Sequence, residues 1–377
     1  MKLVEHREGT TRLLVPRASL THDPPPTSPV FFNPAASLNR DVSVAITAAT
    51  GGGSFCDSMC GVGARGLRIA NEVRRVERVT MVDFNAQALG AARRGAVVNR
   101  VGRKCEFSDS ETTAYLSSRF GSEERFDYVD VDPFGTPVRQ LQAGLSATSD
   151  GGILSITATD TAVLCGVYPR ISKRRYGGVS LKNHFGHETG LRILAAALAR
   201  EGAKLDLGAT PIFGHSTRHY LRLYVRVTFG AGAADRTVEK VGCISVCSHC
   251  GDTRVDELEQ RSCARCGRKA RSAGPLWVGP LTDSAMVAGA ARTAGELGLA
   301  IASKLIGSLA GIDGFPPWSF SIDAASSSLG VATVPEAKVR QLLEGRGWRV
   351  MRTPFEKTGI KTDAPFSEFQ AAMEEPA

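Results

Sequence analysis

Asp57-Ser58-Met59-Cys60-Gly61-Val62-Gly63-Ala64-Arg65-Gly66 decides the fold of this 377-residue chain: a short strand ends in an acid, and a Gly-x-Gly-x-x-Gly turn opens a helix. Glycines at 61, 63 and 66 let backbone approach a ligand closely. Twenty residues beyond Gly63, a strand over 78–83 ends at Asp83, where an acid can bind a ribose. The same layout serves a dinucleotide or S-adenosylmethionine. Asp57 separates the two, because its charge repels a pyrophosphate and suits a ligand ammonium group. The expected cofactor is therefore S-adenosylmethionine.

Around this turn, strand and helix signals alternate. Strands are predicted near 53–57, 78–83, 104–108, 126–131 and 151–157, with helices near 64–75, 86–100, 110–119, 138–147 and 187–201. Strands near 205–214 and 219–229 form a terminal antiparallel hairpin. Five parallel strands with helices on both faces and an edge hairpin describe a doubly wound α/β sheet, Rossmann-like, of the class I methyltransferase type. Ligands belong at the carboxyl ends of such strands, where Asp57, Asp83, Asp109 and Asp132 fall. Asp132 sits in Asp130-Val131-Asp132-Pro133-Phe134-Gly135-Thr136-Pro137. Its carboxylate can accept hydrogen bonds from an exocyclic amine, Pro133 fixes the adjoining backbone, and Phe134 offers a face for a base. A plain surface turn explains the same residues equally well.

The alternation stops near Gly230, which predicts a catalytic domain over 1–230 and a smaller C-terminal α+β domain over 231–377. The latter holds Cys247-Ser248-His249-Cys250, twelve residues, then Cys263-Ala264-Arg265-Cys266. Two such knuckles, within 243–269, can place four thiolates around one structural zinc ion. His249 is expected to be exposed, and Cys56, Cys60, Cys105, Cys165 and Cys243 to be buried apolar residues. Helices near 284–306 and 335–345 and a basic strand over 347–352 suggest a winged-helix-like tail. The run Asp23–Pro29 reads as an extended linker.

The net charge is +8, concentrated between Asp160 and Phe229, where Arg170, Lys173, Arg174, Arg175 and Lys182 cluster as phosphate-binding residues do. A solvated basic face is the simpler alternative. No apolar run reaches the roughly 20 residues of a membrane span, and Met1–Thr10 is too charged for a signal peptide. A cytoplasmic protein is expected. The odd cysteine count suits metal binding in a reducing compartment.

Taken together, these residues resemble the tRNA guanosine-26 N2-dimethyltransferase family. The resemblance runs from Val30-Phe31-Phe32-Asn33-Pro34 and Leu38-Asn39-Arg40-Asp41 through the 57–66 loop and Asp132-Pro133-Phe134-Gly135. It continues through Thr157-Ala158-Thr159-Asp160, Leu164-Cys165-Gly166 and His187-Glu188 to Arg352-Thr353-Pro354-Phe355 and Thr358–Ala364. It implies transfer of one or two methyl groups from S-adenosylmethionine to guanosine N2 in tRNA, with no protein partner implied. By position it makes Arg40, Arg65, Asp83 and Asp109, with Ser110, cofactor contacts beside Asp57, Gly61 and Gly63. Asp132 becomes the catalytic carboxylate, and Phe31 and Phe134 the aromatics around the base. Where the family commonly has Tyr, this chain has Phe32. Arg40 could instead pair with Asp41, and Arg65 could be a helix-face arginine. Glu188 is read as a helix cap. Rival readings are an amino-methyltransferase of another nucleic acid, a zinc protein that binds nucleic acid without catalysis, and, more distantly, a zinc- and NAD-dependent dehydrogenase.

Overall fold

The computed structural model describes residues 2–375. An antiparallel hairpin, β1 (Leu3–Glu8) and β2 (Thr11–Pro16), opens the chain, turning at Gly9 with φ +54°. This charged start carries no strand expectation in the sequence reading. Helix α1 (Ser37–Thr50) leads into the alternating core. There β3 (Gly53–Asp57), α2 (Ala64–Glu72), β4 (Val76–Asp83), α3 (Ala86–Val98) and β5 (Cys105–Asp109) are followed by α4 (Thr112–Ser117), β6 (Phe126–Val131), α5 (Leu141–Ala147) and β7 (Thr148–Ala158). Next come α6 (Thr161–Leu164), α7 (Pro169–Tyr176), α8 (Gly186–Ala203), β8 (Leu207–Thr217) and β9 (Tyr220–Phe229). Seven strands form one sheet in the order β5-β4-β3-β6-β7-β9-β8, and the pairs from β5 to β7 are parallel. Only two residues join β8 to β9, a connection that antiparallel strands alone allow. This is the α/β methyltransferase architecture that the alternation predicts.

The parallel strands are apolar because both faces are covered. Val79, Met81 and Val82 of β4, and Val129 and Val131 of β6, are completely buried. Glycine permits a close layer contact: a Cβ on Gly66 would stand 2.8 Å from Met81 Cγ.

Two compact units interleave along the chain. The first comprises Met1–Thr157, Tyr224–Phe229 and Ala285–Gly307; the second comprises Ala158–Leu223, Gly230–Ser284 and Ser308–Ala377. Helices α10 (Ser284–Glu296) and α11 (Ala300–Gly307) serve the first unit almost entirely, and α11 packs on α1. The single helix expected over 284–306 is broken because Gly298 takes φ +73°. In the second unit, α9 (Ala231–Val238) precedes a three-stranded antiparallel sheet of β10 (Val241–Cys247), β11 (Thr253–Asp256) and β12 (Ala270–Trp277), with β10 in the centre. The last segment holds β13 (Phe320–Ser321), α12 (Ile322–Leu329), α13 (Glu336–Gly345), β14 (Val350–Arg352), β15 (Gly359–Thr362) and α14 (Phe366–Glu374). Its strands are antiparallel in the order β13-β15-β14, over a core of Phe320, Val339, Leu343, Ile360 and Phe369. The expected strand at 347 starts only at Val350, after Gly347 at φ +86°. No described helix is long and apolar enough to cross a membrane.

Candidate active site

Strand register sets the site. Asp57 pairs laterally with Asp130, and Asp83 with Asp109, so three acids end β3, β4 and β5 and a fourth is the last residue but one of β6, at one edge of the first unit. Asp132 follows one residue beyond β6.

The glycine turn is braced by two of these acids. Asp57 Oδ2 accepts from Gly66 N–H at 2.8 Å, and Asp83 Oδ2 accepts from Gly61 N–H at 2.8 Å. Gly61 sits at φ +53°, and a Cβ there would meet only the Phe31 carbonyl, at 3.5 Å. The loop is thus held from below by carboxylates while Gly61 keeps its own approach open. Burial, and next the neighbouring charge of Asp130, push the Asp57 carboxyl up to about 7. Asp83 Oδ1 also accepts from Asn85 N–H at 2.9 Å. Asp109 is exposed, and the Ser110 hydroxyl lies 2.9 Å from that of Ser108. Phe84, directly after Asp83, is 79% exposed. The sequence reading misses it, although an aromatic after a strand-end acid is a legible signal.

Asp132, whose side chain is 32% exposed, accepts from Arg65 Nη2 at 2.5 Å. Arg65 also faces Asp130, with Nε 3.0 Å from Oδ1. Both arginine and Asp130 are buried, and Asp130 Oδ2 accepts from the Ser155 hydroxyl at 2.6 Å. The sequence reading places neither Asp130 nor Ser155 at the site; both follow from strand alternation. Phe134 is 69% exposed, and its ring meets that of Phe31 edge-on, 4.7 Å between centroids at 75°. Gly135, at φ +75°, turns the chain after it. The structure therefore gathers Arg65, Asp132, Phe134 and Phe31, with the glycine turn beside the Phe31 carbonyl.

Arg40 is paired with the first hairpin. Its Nε and Nη2 donate to both oxygens of Glu8 on the first hairpin, at 2.7 and 2.5 Å, and Nη2 donates to the Asn33 carbonyl. The alternative partner, Asp41, pairs with Arg68 instead. Phe32 is buried beneath the Arg40 guanidinium and against His6, so it needs no hydroxyl partner. Cys60 is buried, and burial followed by the charges of Asp57 and Asp83 keeps its thiol protonated.

In the second unit, Cys247, Cys250, Cys263 and Cys266 bring their sulfurs within 4.8 Å of one another, with two pairs at 3.6 Å. Gly251 and Gly267, each following a Cys-x-x-Cys, take positive φ and close the two knuckles. His249 lies outside the cluster, with Nδ1 3.1 Å from Arg268 Nη1. Helix α7 carries Arg170, Lys173 and Arg174 on its surface, while Arg175 is paired with Asp160 at 3.0 Å. Glu188 is not a cap. It is fully buried, 2.8 Å from both Arg192 Nη2 and Lys361 Nζ. Burial works to raise its carboxyl, and the Lys361 and Arg192 charges outweigh this and hold it low. Burial draws Lys361 down to about 8.

A family model described as N2,N2-dimethylguanosine tRNA methyltransferase matches residues 9–374. The tRNA (guanine(26)-N(2))-dimethyltransferase of Methanopyrus kandleri is 36% identical over 380 residues, covering 100% of this chain and 98% of the relative. That of Methanothermobacter thermautotrophicus is 35% identical, covering 98% of each. The solved complex of Trm1 from Pyrococcus horikoshii with S-adenosyl-L-methionine superposes with a TM-score of 0.86 at 30% identity, covering 98% of this chain and 99% of that one. With a match across nearly its whole length, the chain belongs to the N2,N2-dimethylguanosine tRNA methyltransferase family.

Proposed function

We propose that this protein transfers one or two methyl groups from S-adenosylmethionine to the exocyclic N2 amine of guanosine 26 in tRNA. The observation that carries this reading is the end-to-end kinship with relatives named for that reaction. The solved relative in complex with S-adenosyl-L-methionine supports the choice of methyl donor.

The donor is placed against the turn at Gly61 and Gly63, with Asp83, Asp109 and Ser110 beside it and Asp57 bracing the turn from beneath. When bound, it supplies an electrophilic methyl group on a sulfonium. Every other part of the reaction falls to the chain. Guanine N2 is a weak nucleophile because its lone pair is delocalised into the ring. Asp132 accepts a hydrogen bond from the amine, favours its pyramidal form and stabilises the positive charge that develops on nitrogen. It takes the proton released as the N–C bond forms, directly or through water. Phe134 and Phe31 hold the base in place, and alignment supplies much of the acceleration. A covalent enzyme intermediate is unnecessary.

Residues 1–230 carry these groups, and 231–377 form the smaller, family-specific C-terminal domain. There the four cysteines hold a structural zinc ion: ligands about 2.3 Å from one tetrahedral centre stand roughly 3.7 Å apart, close to the 3.6 Å sulfur pairs. Arg170, Lys173 and Arg174 bind tRNA phosphates. Incubation of unmodified tRNA with labelled S-adenosylmethionine, followed by nucleoside mapping, tests the reading. Label in N2-methylated guanosine at position 26 is expected; no label, or label only at another base, refutes it.

A further inference from the structure

The basic helix α7 begins at an exposed aromatic residue. Arg170, Lys173 and Arg174 are three and four residues apart, hence on one face of α7, and their exposed side chains meet no acid among the described residues. Like charges at this spacing repel one another. The opposite face is anchored: Ser172 and Tyr176 are buried, and their hydroxyls donate to the Gly178 carbonyl at 2.8 Å and to Asp160 Oδ1 at 2.6 Å. Continued backwards, the spacing 176, 172, 168 would bury Tyr168 as well. Tyr168 is instead the N-cap, with φ −123° and ψ 67°, and it stands 52% exposed beside Val167, 50% exposed. The turn that presents them is braced. Val167 and Tyr168 N–H both donate to the Ala162 carbonyl, at 2.9 and 3.3 Å, and the Tyr168 carbonyl accepts from Ile171 and Ser172 N–H. Gly166, at φ +95°, lies so close to the backbone of Leu181 and Lys182 that a Cβ there would collide with it.

We infer that Tyr168 stacks on an unpaired base of the bound tRNA, with the cations of α7 on the phosphates beside that base. The inference rests on the tRNA reading given to α7 above. Among the described residues, the Tyr168 ring faces no other aromatic ring or guanidinium, and its hydroxyl has no hydrogen-bond partner. A flat apolar face next to uncompensated cations selects a ligand that is both flat and polyanionic, which describes a nucleic acid. Within RNA, paired bases hide their faces in the stack, so the aromatic takes an unpaired one. The proposed substrate supplies such nucleotides, because a guanine must leave its stack before its amine can be methylated by an enzyme. The braced turn lowers the entropy lost on contact, since the backbone that carries the ring is already ordered.

The test measures binding of unmodified tRNA, and of a fully paired RNA duplex, to full-length Tyr168→Ala, Tyr168→Leu and Tyr168→Phe over a series of salt concentrations. Tyr168→Ala should weaken tRNA binding about tenfold, as loss of one stacked base does. Its salt dependence should keep the wild-type slope, because no phosphate contact is lost. Tyr168→Leu, which retains apolar bulk without a π face, should lose nearly as much, whereas Tyr168→Phe should stay within about twofold of wild type. Duplex binding should be the same for all four proteins. Tyr168→Ala within about twofold of wild type, rescue by Leu, failure of rescue by Phe, a flattened slope, or an equal loss with duplex overturns the inference. Unchanged tRNA affinity with an altered oligomeric state in light scattering would instead give the patch to a second copy of the chain, and overturns it too. If Tyr168→Ala does not fold, the contrast between Leu and Phe decides. Alanine at Arg170, Lys173 and Arg174 separates the two readings: a flattened slope there beside an unaffected Tyr168→Ala overturns only the stacking, and no effect in either removes tRNA from α7.

Discussion

Replacing Asp132 by Asn is the sharpest perturbation of this site, because it preserves volume and changes only charge and donor pattern. One carboxylate oxygen accepts from Arg65 Nη2 at 2.5 Å, and the side chain is exposed enough for the guanine amine to reach it. An amide cannot serve both. If its oxygen stays on Arg65, its NH2 faces the N2 amine; if it flips, its NH2 faces the guanidinium. Donor meets donor in either arrangement, and the negative charge that offsets positive charge on N2 is lost. Removal of a preorganised group of this kind costs about 3 kcal/mol or more of transition-state stabilisation, more than a hundredfold in rate. The fold should lose no more than about 1 kcal/mol, since Asp132 is one-third exposed and Arg65 keeps Asp130, Asn39 and Ser43. Single-turnover methylation, beside S-adenosylmethionine binding and a denaturant melt, separates these quantities. The expected result is near-wild-type affinity and stability with methylation almost abolished. A rate within tenfold of wild type removes Asp132 from the mechanism, and an equal loss of cofactor binding moves it to the donor pocket.

Elemental analysis of protein purified under reducing conditions should find one zinc per chain, and chelation should lower the melting temperature; metal-free protein of unchanged stability would refute the zinc site. Alanine at Arg170, Lys173 and Arg174, chosen because Arg175 is paired with Asp160, should weaken tRNA binding and flatten its salt dependence by about one unit for each phosphate no longer neutralised. Unchanged affinity and slope would remove α7 from the interface. Asp57 stands at about 7 in the folded chain against 3.8 ordinarily, so the folded state holds its proton more tightly. Its contribution to stability is full below about 3.8 and lost as pH rises to about 7, so the stability difference between wild type and Asp57→Asn should fall over that window and level off above it; a difference flat with pH rejects this environment. Glu188→Ala strands Lys361 and Arg192 in the interior and should cost about 3–5 kcal/mol in denaturant unfolding, whereas a cost below about 1 kcal/mol would show that the buried ion cluster is not structural.

The strand-end acids, the Gly61–Gly66 turn and the paired cysteines were legible in the sequence because each is a local pattern tied to one backbone geometry. Asp130 and Ser155 follow from the same alternation once the register of β6 and β7 is known. Pairings across long separations were not legible. Glu8 and Arg40 are 32 residues apart, and Glu188 and Lys361 are 173 apart; no periodicity links them. Arg65 shows the limit most clearly, because its place on α2 was evident and its two acidic partners were set by strand order. Glu188 looked like a cap because an acid in a first helical turn usually complements the helix dipole. Its burial beside two cations overrides that local preference.

The interleaving of the two compact units bears on how the protein is made. A ribosome delivers the glycine turn and Asp132 early, yet the unit containing them also takes in Ala285–Gly307. At about 5–20 residues per second, the intervening stretch delays those helices by several seconds. During that interval the nascent first unit lacks α11, which packs on α1, the helix that supplies Asn39 and Ser43 to Arg65. A fragment ending at residue 230 prolongs that interval indefinitely. Such a fragment should behave as an aggregation-prone intermediate, and one that runs on through Gly307 should be better able to leave the translation machinery with its catalytic unit closed.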